Sequence, residues 1–210
     1  MRIFTNTAMS LDGKINFPDG KGYALGSDED RKRMRHIRNQ ADAILVGGNT
    51  FRNYPHPSLP ENTAIKTKIW NIVLSRTMDF SLSDEFVNST AIRPLFLTSN
   101  ETPKDFPLPV IASSQEITPE WIVGELKERG IENLLIEGGG DLIYQFLEAG
   151  LIDDIYVTLC PKIIGDESCP DYIKGEGFRD EQKLELINCE QVENEIYLHY
   201  RVIPAKAGIQ

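Results

Sequence analysis

Apolar residues along the chain occur in short runs typical of strands, separated by stretches with helical periodicity. The first strand is predicted over residues 2–10, and the turn dipeptide Asp12-Gly13 follows it. Further strands are predicted at apolar runs bounded by polar residues, glycine or proline, namely residues 43–46, 69–75, 94–99, 109–112 and 132–136. Runs of this kind are typical of strands buried on both faces of a parallel sheet.

Three helices are predicted between these strands, over residues 28–41, 118–129 and 141–149. Ser27 is a candidate N-cap before an acidic first turn, which suits the positive end of the helix dipole. Met34, Ile37 and Ala41 recur at the spacing of one helical face. Residues 52–68 contain three prolines and many polar residues, and we predict a loop there.

The pattern changes after residue 150. Strands are predicted over residues 154–164, 183–190 and 195–203, with turns and no helix between them. The predicted fold class is therefore α/β, with a mixed, mostly parallel sheet, helices on both faces and an antiparallel C-terminal end. A chain of 210 residues predicts one domain, over residues 1–204, and residues 205–210 lack periodicity and are expected to form a flexible tail.

Composition excludes several classes of protein. The net charge of −10 argues against a nucleic-acid partner, which would need a basic surface. No run approaches the roughly 20 apolar residues that span a bilayer, and the first residues are too polar for a signal peptide, so we expect a cytoplasmic protein without a membrane partner. Three cysteines without a C-x-x-C motif predict free thiols and no metal site.

The charge is distributed unevenly along the chain. Residues 1–76 carry 12 Lys and Arg against 7 Asp and Glu, a net charge of +5. Residues 77–210 carry a net charge of −15. We expect the first third of the chain to supply the cations for any anionic ligand.

Two strand–glycine–helix junctions are candidates for binding phosphate. The first is VGGNT at residues 46–50, and the second is IEGGGDL at residues 136–142. Glycine lets the backbone approach a ligand closely, and free N–H groups at a helix start attract anions. Neither junction matches the G-x-G-x-x-G or P-loop pattern, so a tight structural turn is the alternative for each.

Five motifs, in order along the chain, resemble the reductase domain of riboflavin biosynthesis. They are TAMSLDGKI at residues 7–15, IR at 37–38, ADAILVGGNT at 41–50, EGGGDL at 137–142 and AGLIDD at 149–154. The segment PKIIG at residues 161–165 resembles a later motif of the same family. The resemblance implies a dihydrofolate-reductase-like fold and a homodimer.

The resemblance also implies the reaction. NADPH would reduce the ribose of a 5-amino-6-(5-phosphoribosylamino)pyrimidine to a ribityl chain, with hydride arriving at the sugar C1 and a proton at nitrogen. The protein's part is then to align hydride donor and acceptor and to exclude water, without a covalent nucleophile. Whether the pyrimidine is deaminated before reduction stays open.

Cofactor-binding residues are expected mainly from the glycine-rich junctions and from one strand end. Ser75 follows the family's strand-end contact, and Arg76 is added because a guanidinium suits the 2′-phosphate that separates NADPH from NADH. The full expected set is Ala8, Gly47, Gly48, Thr50, Ser75, Arg76, Gly138, Gly139, Gly140, Asp141 and Leu142.

Substrate-binding residues are expected to be Asp12, Lys14, Arg38, Leu59 and Glu137. Lys14 would lie near the substrate phosphate, and Glu137 would accept a hydrogen bond from a pyrimidine amino group or a ribose hydroxyl. Asp12 and Glu137 are also the candidate catalytic residues. Asp12 would serve as a proton donor only if burial raised its pKa; the alternative is that it organises the turn.

The chain departs from the family pattern at two places. The loop at residues 53–62 has no acid before Glu61 and no arginine, where the family has an acidic pair, a leucine and an arginine. Tyr23-Ala24-Leu25 stands where the family has a tryptophan. Two alternatives therefore stay open: a related reductase of another small heterocycle, and a non-catalytic nucleotide-binding protein.

Overall fold

The computed structural model describes residues 1–18, 25–62 and 68–204. Within these residues nine strands form one sheet in the order β5-β4-β3-β2-β6-β1-β7-β9-β8. The strands are β1 (Arg2–Met9), β2 (Ala43–Gly47), β3 (Ile69–Leu74), β4 (Ile92–Thr98), β5 (Val110–Ala112), β6 (Asn133–Ile136), β7 (Asp154–Leu159), β8 (Lys183–Val192) and β9 (Glu195–Ile203). The helices are α1 (Asp28–Arg38), α2 (Gly48–Asn53), α3 (Asp84–Val87), α4 (Pro119–Glu128) and α5 (Gly140–Glu148).

The sheet confirms the predicted fold class. The first seven strands in the spatial order, from β5 at the edge to β7, are parallel to one another. Strand β9 pairs antiparallel with both β7 and β8. Helices α4 and α5 pack on one face with Ile3 and Leu45 of the sheet. Helices α1, α2 and α3 contribute to a second core on the opposite face with Phe4 and Ile44. Neighbouring strand residues thus enter different cores, because side chains alternate across a strand.

Two sequence predictions need correction, and one helix was missed. The strand predicted to reach residue 164 ends at Leu159, because the following segment turns to meet the end of β1, where the Leu11 amide donates to the Lys162 carbonyl at 2.8 Å. The loop predicted over residues 52–68 begins inside α2, which ends at Asn53. Helix α3 was not predicted. The tail at residues 205–210 and the residues Tyr23 and Ala24 lie outside the described part of the chain.

The start of α1 is fixed to the antiparallel end of the sheet. The Ser27 hydroxyl accepts from the Asp30 amide at 3.3 Å, as predicted for an N-cap. The Ser27 amide and hydroxyl both donate to the buried Glu195 carboxylate of β9, at 2.8 and 2.7 Å. The first turn of α1 therefore has a fixed position beside the carboxyl ends of β1 and β7.

The carboxyl ends of β1, β2, β3 and β6 meet at one edge of the sheet, because these strands are parallel. In open α/β sheets this edge is where ligands bind. No helix within the described residues is long and apolar enough to cross a membrane.

Candidate active site

A cleft of about 890 Å³ opens at this edge of the sheet. Its walls come from α1, from α2 with the loop that follows it, and from the glycine segment after β6. The volume lies within the range of roughly 300–1,000 Å³ that is usual for small-molecule sites. Of the sequence-predicted residues, the cleft is lined by Ala8, Arg38, Thr50, Glu137, Gly138, Gly139, Gly140 and Asp141.

The segment Gly138–Gly139–Gly140 has a backbone that other residues rarely adopt. Gly138 and Gly139 have φ values of +88° and +89°, in the region that favours glycine. A Cβ on Gly140 would collide with the main-chain oxygen of Asp171. Gly139 is the N-cap of α5 and makes no side-chain cap hydrogen bond, so it leaves the first amides of the helix for another acceptor.

The first glycine junction packs against the end of β3. A Cβ on Gly48 would collide with the buried Ser75 hydroxyl, whereas the space beside Gly47 is open. Thr50, in the first turn of α2, lies against Gly138, where an added Cβ would come within 3.1 Å of its Oγ1. The two predicted junctions therefore meet at one corner of the cleft.

Arg52, which the sequence did not indicate as a site residue, has its guanidinium beside Ser75. Its Nη2 lies 3.3 Å from the Ser75 Oγ and 2.7 Å from an Asp79 carboxylate oxygen. The arginine also lies over the Phe80 ring. Arg76 is exposed, and its main-chain oxygen accepts a hydrogen bond from Asn100.

Arg38 contacts two other predicted substrate residues, Glu137 and Leu59. Arg38 Nε and Nη2 donate to the two Glu137 carboxylate oxygens at 2.8 and 2.7 Å, a bidentate ion pair. The side chains of Arg38 and Glu137 are only 12% and 10% exposed. Arg38 Nη1 also donates to the Leu59 carbonyl at 3.2 Å, which ties the loop after α2 to the end of β6.

Asp12 organises the turn after β1. Its carboxylate accepts from the Ser10 hydroxyl at 2.6 Å and from the Gly165 amide at 2.7 Å. These hydrogen bonds, the one from Ser10 first, hold the pKa of Asp12 far below its ordinary value. The lowered pKa favours the alternative that Asp12 organises the turn, because a proton donor needs a raised pKa.

Lys14 is held in an ion pair. Its Nζ lies 2.7 Å from an Asp171 carboxylate oxygen and 3.3 Å from the Cys169 carbonyl. The hydrogen bond to Asp171 raises the pKa of Lys14, so the side chain stays charged. Lys174, a second lysine near Asp171 in sequence, lines the cleft itself.

Sequence reasoning missed Asp30, a buried carboxyl group on the cleft wall. It was interpreted only as an acid of the first helical turn, yet it is 9% exposed and lines the cleft. Its position four residues before Met34 and seven before Ile37 continues the buried face of α1. An acid on an apolar face was the signal in the sequence that could have identified it.

The cleft floor contains polar atoms without protein partners. Asn6 and Thr7 of β1 line the cleft, and both are at least nine-tenths buried. Neither Asn6 Oδ1 nor Thr7 Oγ1 has a hydrogen-bond partner within the described residues. Buried polar groups are usually paired, so these atoms are ready to bind a ligand.

The residues of the cleft fit a dinucleotide as well as a second small molecule. Free amides at the start of α5 and glycine backbone suit the pyrophosphate, and the Arg38–Glu137 pair provides hydrogen-bonding groups deeper in the cleft. No group of three or more residues that could hold a metal ion is found in residues 1–18, 25–62 and 68–204.

The mixed sheet and the cleft at the carboxyl ends of its strands define an α/β protein with a small-molecule site. The family model described as the RibD C-terminal domain matches residues 2–198, and the chain belongs to this family. The family implies a nicotinamide cofactor in general.

Curated relatives carry reductase names. The chain is 28% identical over 188 residues to the 2,5-diamino-6-ribosylamino-4(3H)-pyrimidinone 5′-phosphate reductase of Aquifex aeolicus, with 84% of each chain covered. It is 27% identical over 214 residues to the reductase of that name from Methanothermobacter thermautotrophicus, covering 95% of this chain and 97% of the relative. These names support an oxidoreductase of the RibD type.

Solved structures share the fold. A pyrimidine reductase-like protein from Corynebacterium diphtheriae superposes with a TM-score of 0.79 at 23% identity, covering 97% of this chain and 92% of that one. A diaminohydroxyphosphoribosylaminopyrimidine deaminase/5-amino-6-(5-phosphoribosylamino)uracil reductase from Thermotoga maritima gives a TM-score of 0.78 at 24% identity. The present chain covers 56% of the Thermotoga protein, and that protein covers 96% of this chain.

Proposed function

We propose that the protein is an NADPH-dependent reductase of riboflavin biosynthesis. It converts the ribose of a 5-amino-6-(5-phosphoribosylamino)pyrimidine to a ribityl chain. The observation that carries this proposal is a single cleft that combines a glycine-rich helix start with the buried Arg38–Glu137 pair. The reductase names of the Aquifex and Methanothermobacter relatives supply the substrate.

The cofactor is held by the corner where the two glycine junctions meet. Gly138, Gly139 and Gly140 admit the pyrophosphate close to the backbone, and the first amides of α5 donate to it. Thr50 and Ala8 line the same cleft and complete the binding surface. When bound, a reduced nicotinamide dinucleotide supplies a hydride.

The preference for NADPH over NADH comes from the end of β3. The Ser75 hydroxyl and the Arg52 guanidinium lie within 3.3 Å of each other and suit a phosphate monoester. Arg76 follows Ser75 directly and adds positive charge at the surface. Arg52 is thus a third candidate for binding the 2′-phosphate, in addition to Ser75 and Arg76, which the sequence suggested.

The substrate binds between α1 and the glycine segment. Glu137 keeps lone pairs free on both carboxylate oxygens beside its bonds to Arg38, and these accept from an amino or hydroxyl group. Lys174 lines the cleft and provides charge for the substrate phosphate, with Lys14 close by in its pair with Asp171. The floor atoms of Asn6 and Thr7 supply further polar contacts.

The same proposal covers the domain organisation, the cellular location and the oligomeric state of the protein. Residues 1–204 form one reductase domain, which the single sheet from β1 to β9 supports. The protein is a cytoplasmic homodimer, which its thiols Cys160, Cys169 and Cys189 suit because none is in a disulfide. The exposed apolar residues Leu184, Leu186 and Ile187 on edge strand β8 support an interface there.

The activity is tested by loss of NADPH absorbance in the presence of the phosphoribosylaminopyrimidine, in its amino and its deaminated form. We expect oxidation of NADPH with at least one form and a ribityl product by mass spectrometry. Oxidation with a pterin and with neither pyrimidine would assign the cleft to another heterocycle. NADPH binding without any turnover would leave only a nucleotide-binding protein.

A further inference from the structure

We propose that Asp30 donates the proton that accompanies hydride transfer in this cleft. The inference deepens the proposed function and rests on it. Its starting point is a buried carboxyl group on the cleft wall that neither the glycine corner nor the Arg38–Glu137 pair requires. The carboxylate of Asp12, the candidate from the sequence, accepts a hydrogen bond from the Gly165 amide, and its lowered pKa keeps it ionised.

The position of the Asp30 carboxyl group is fixed from two sides. Its Oδ1 accepts a 2.5 Å hydrogen bond from the Thr158 hydroxyl at the end of β7. Its Oδ2 lies against Gly26, where a Cβ would occupy the same space. In the described part of the chain no hydrogen bond reaches Oδ2, although Gly26 and Asp30 both line the cleft. One oxygen is therefore held by Thr158, and the other has no hydrogen-bond partner among the described residues.

The surroundings of Asp30 favour its protonated form. Burial raises its pKa above the ordinary 3.8, and the nearby Glu195 and Glu137 carboxylates add to the rise. The Thr158 hydrogen bond and the Arg33 guanidinium act in the opposite direction. Enzymes tune carboxyl groups in this way when the group must carry a proton near neutral pH.

Other titratable groups face this region from the sheet. Tyr197 of β9 donates to the Glu195 carboxylate at 3.1 Å, and its pKa is raised to about 12, mainly by burial. The pKa of Cys160, after β7, is also raised to about 12, by burial first and then by Glu195 and Asp30. Both stay neutral at physiological pH, so Asp30 and the two glutamates are the acids that matter here.

The proton balance of the reduction defines what Asp30 does. Addition of hydride to the sugar C1 of the open-chain imine forms a C–H bond and breaks the C=N π bond. The π electrons form a new N–H bond with the proton of the Asp30 carboxyl group. The O–H bond of Asp30 breaks, and the reduced nicotinamide dinucleotide is oxidised. Water returns a proton to the carboxylate before the next turnover.

The first experiment measures Asp30 in the free protein. Carbon-13 NMR of the labelled aspartate carboxyl groups, with Asp30→Asn for assignment, follows the titration directly. We expect the Asp30 signal to titrate above 3.8. A titration at or below this value would overturn the proposal. The measurement needs neither cofactor nor substrate, so it does not depend on turnover.

The second experiment compares pH–rate profiles of wild type, Asp30→Asn and Thr158→Val. For the wild type we expect kcat to fall as pH rises through the pKa of Asp30. Asp30→Asn is expected to lower kcat by roughly 10²-fold and to remove this alkaline limb. Thr158→Val removes a hydrogen bond that favours the carboxylate, so the limb should move to higher pH. For both variants, the dissociation constant of NADPH should stay within a factor of about 2 of the wild-type value.

Asp28→Asn is the matched control, because Asp28 belongs to the same first turn but is exposed. It should leave kcat and the alkaline limb unchanged. An equal loss in Asp28→Asn would attribute the effect to the helix dipole and overturn the proposal, as would wild-type kcat in Asp30→Asn. Absence of NADPH oxidation by the wild type with either pyrimidine would instead overturn the proposed function together with this inference.

Thermal unfolding keeps the proposal testable if Asp30→Asn folds poorly. A raised folded-state pKa makes Asp30 stabilising below its unfolded pKa, and this contribution is lost as pH rises through the folded pKa. The melting temperature of Asp30→Asn, relative to wild type, should therefore increase between pH 4 and pH 8. A constant difference across this range would show an ordinary structural aspartate and overturn the proposal.

Discussion

At the residue scale, Arg52 is the side chain to which our proposal assigns the preference for NADPH. It lies beside Ser75, whereas the Arg76 suggested by the sequence is exposed. We expect Arg52→Leu to weaken NADPH binding by roughly 10- to 100-fold, the value of one hydrogen bond to a charged group, and to leave NADH binding unchanged. Fluorescence titration with both dinucleotides measures this.

Arg93→Leu is the control for Arg52→Leu, because Arg93 is an exposed arginine on β4 that lies over the ring of Trp70 on β3. It should bind both dinucleotides like the wild type. Equal weakening of NADPH and NADH in Arg52→Leu would contradict recognition of the 2′-phosphate and would indicate a displaced α2.

Eight of the sixteen site residues selected from the sequence line the cleft. Glycine motifs and strand ends follow from local pattern, and Ala8, Thr50 and the segment Gly138–Gly139–Gly140 all line the cleft. The Arg38–Glu137 pair joins residues 99 positions apart, and no local signal in one sequence specifies such a partner. Both residues were therefore proposed separately as contacts for substrate.

At the element scale, the N-terminus of α5 depends on the absence of a side chain at Gly140. The main-chain oxygen of Asp171 occupies the position that a Cβ would need. Gly140→Ala should lower the free energy of unfolding by about 1–3 kcal/mol, the usual cost of overpacking. Urea denaturation measures the change, and NADPH affinity should fall with it because the neighbouring Gly139 binds the pyrophosphate in our proposal.

Gly124→Ala is the matched substitution in a helix. Gly124 lies within α4, where a Cβ would meet open space, so alanine should raise stability by about 0.5–1 kcal/mol. If both substitutions changed stability by the same amount and sign, close packing at Gly140 would not be the cause.

Helices α1 and α2 differ in the strength of their local sequence signals. Helix α1 has its Ser27 cap and apolar face, and it was found. Helix α2 has six residues and begins at Gly48, and its N-cap Gly47 has no side chain to cap it, so the sequence favours a loop. The end of β7 is set by contact with the turn at residues 10–14, and strand pattern alone extends past it.

At the scale of the whole molecule, edge strand β8 is where we expect the homodimer to form. Leu184 and Leu186 are 42% and 52% exposed on a strand that has a neighbour on one side only among the described residues. Leu186→Lys should convert the dimer to a monomer in light scattering, because the charge would be buried in the interface. Leu11→Lys, at an apolar residue that is 64% exposed, is the control and should stay dimeric. A monomeric wild type, or an unchanged Leu186→Lys dimer, would contradict this interface.

The central position of β1 has a consequence for the order of folding. Among residues 1–18, 25–62 and 68–204, β1 pairs with β6 and β7 alone, so its partners begin at Asn133 and end at Leu159. Until the ribosome reaches Asn133, β1 has no partner strand. In the folded protein, Phe4 of this strand is fully buried. Contacts of such long sequence separation form slowly, since the loop between them must close first. The nascent chain therefore carries the strand Arg2–Met9 without a partner until β6, which ends at Ile136, has been synthesised.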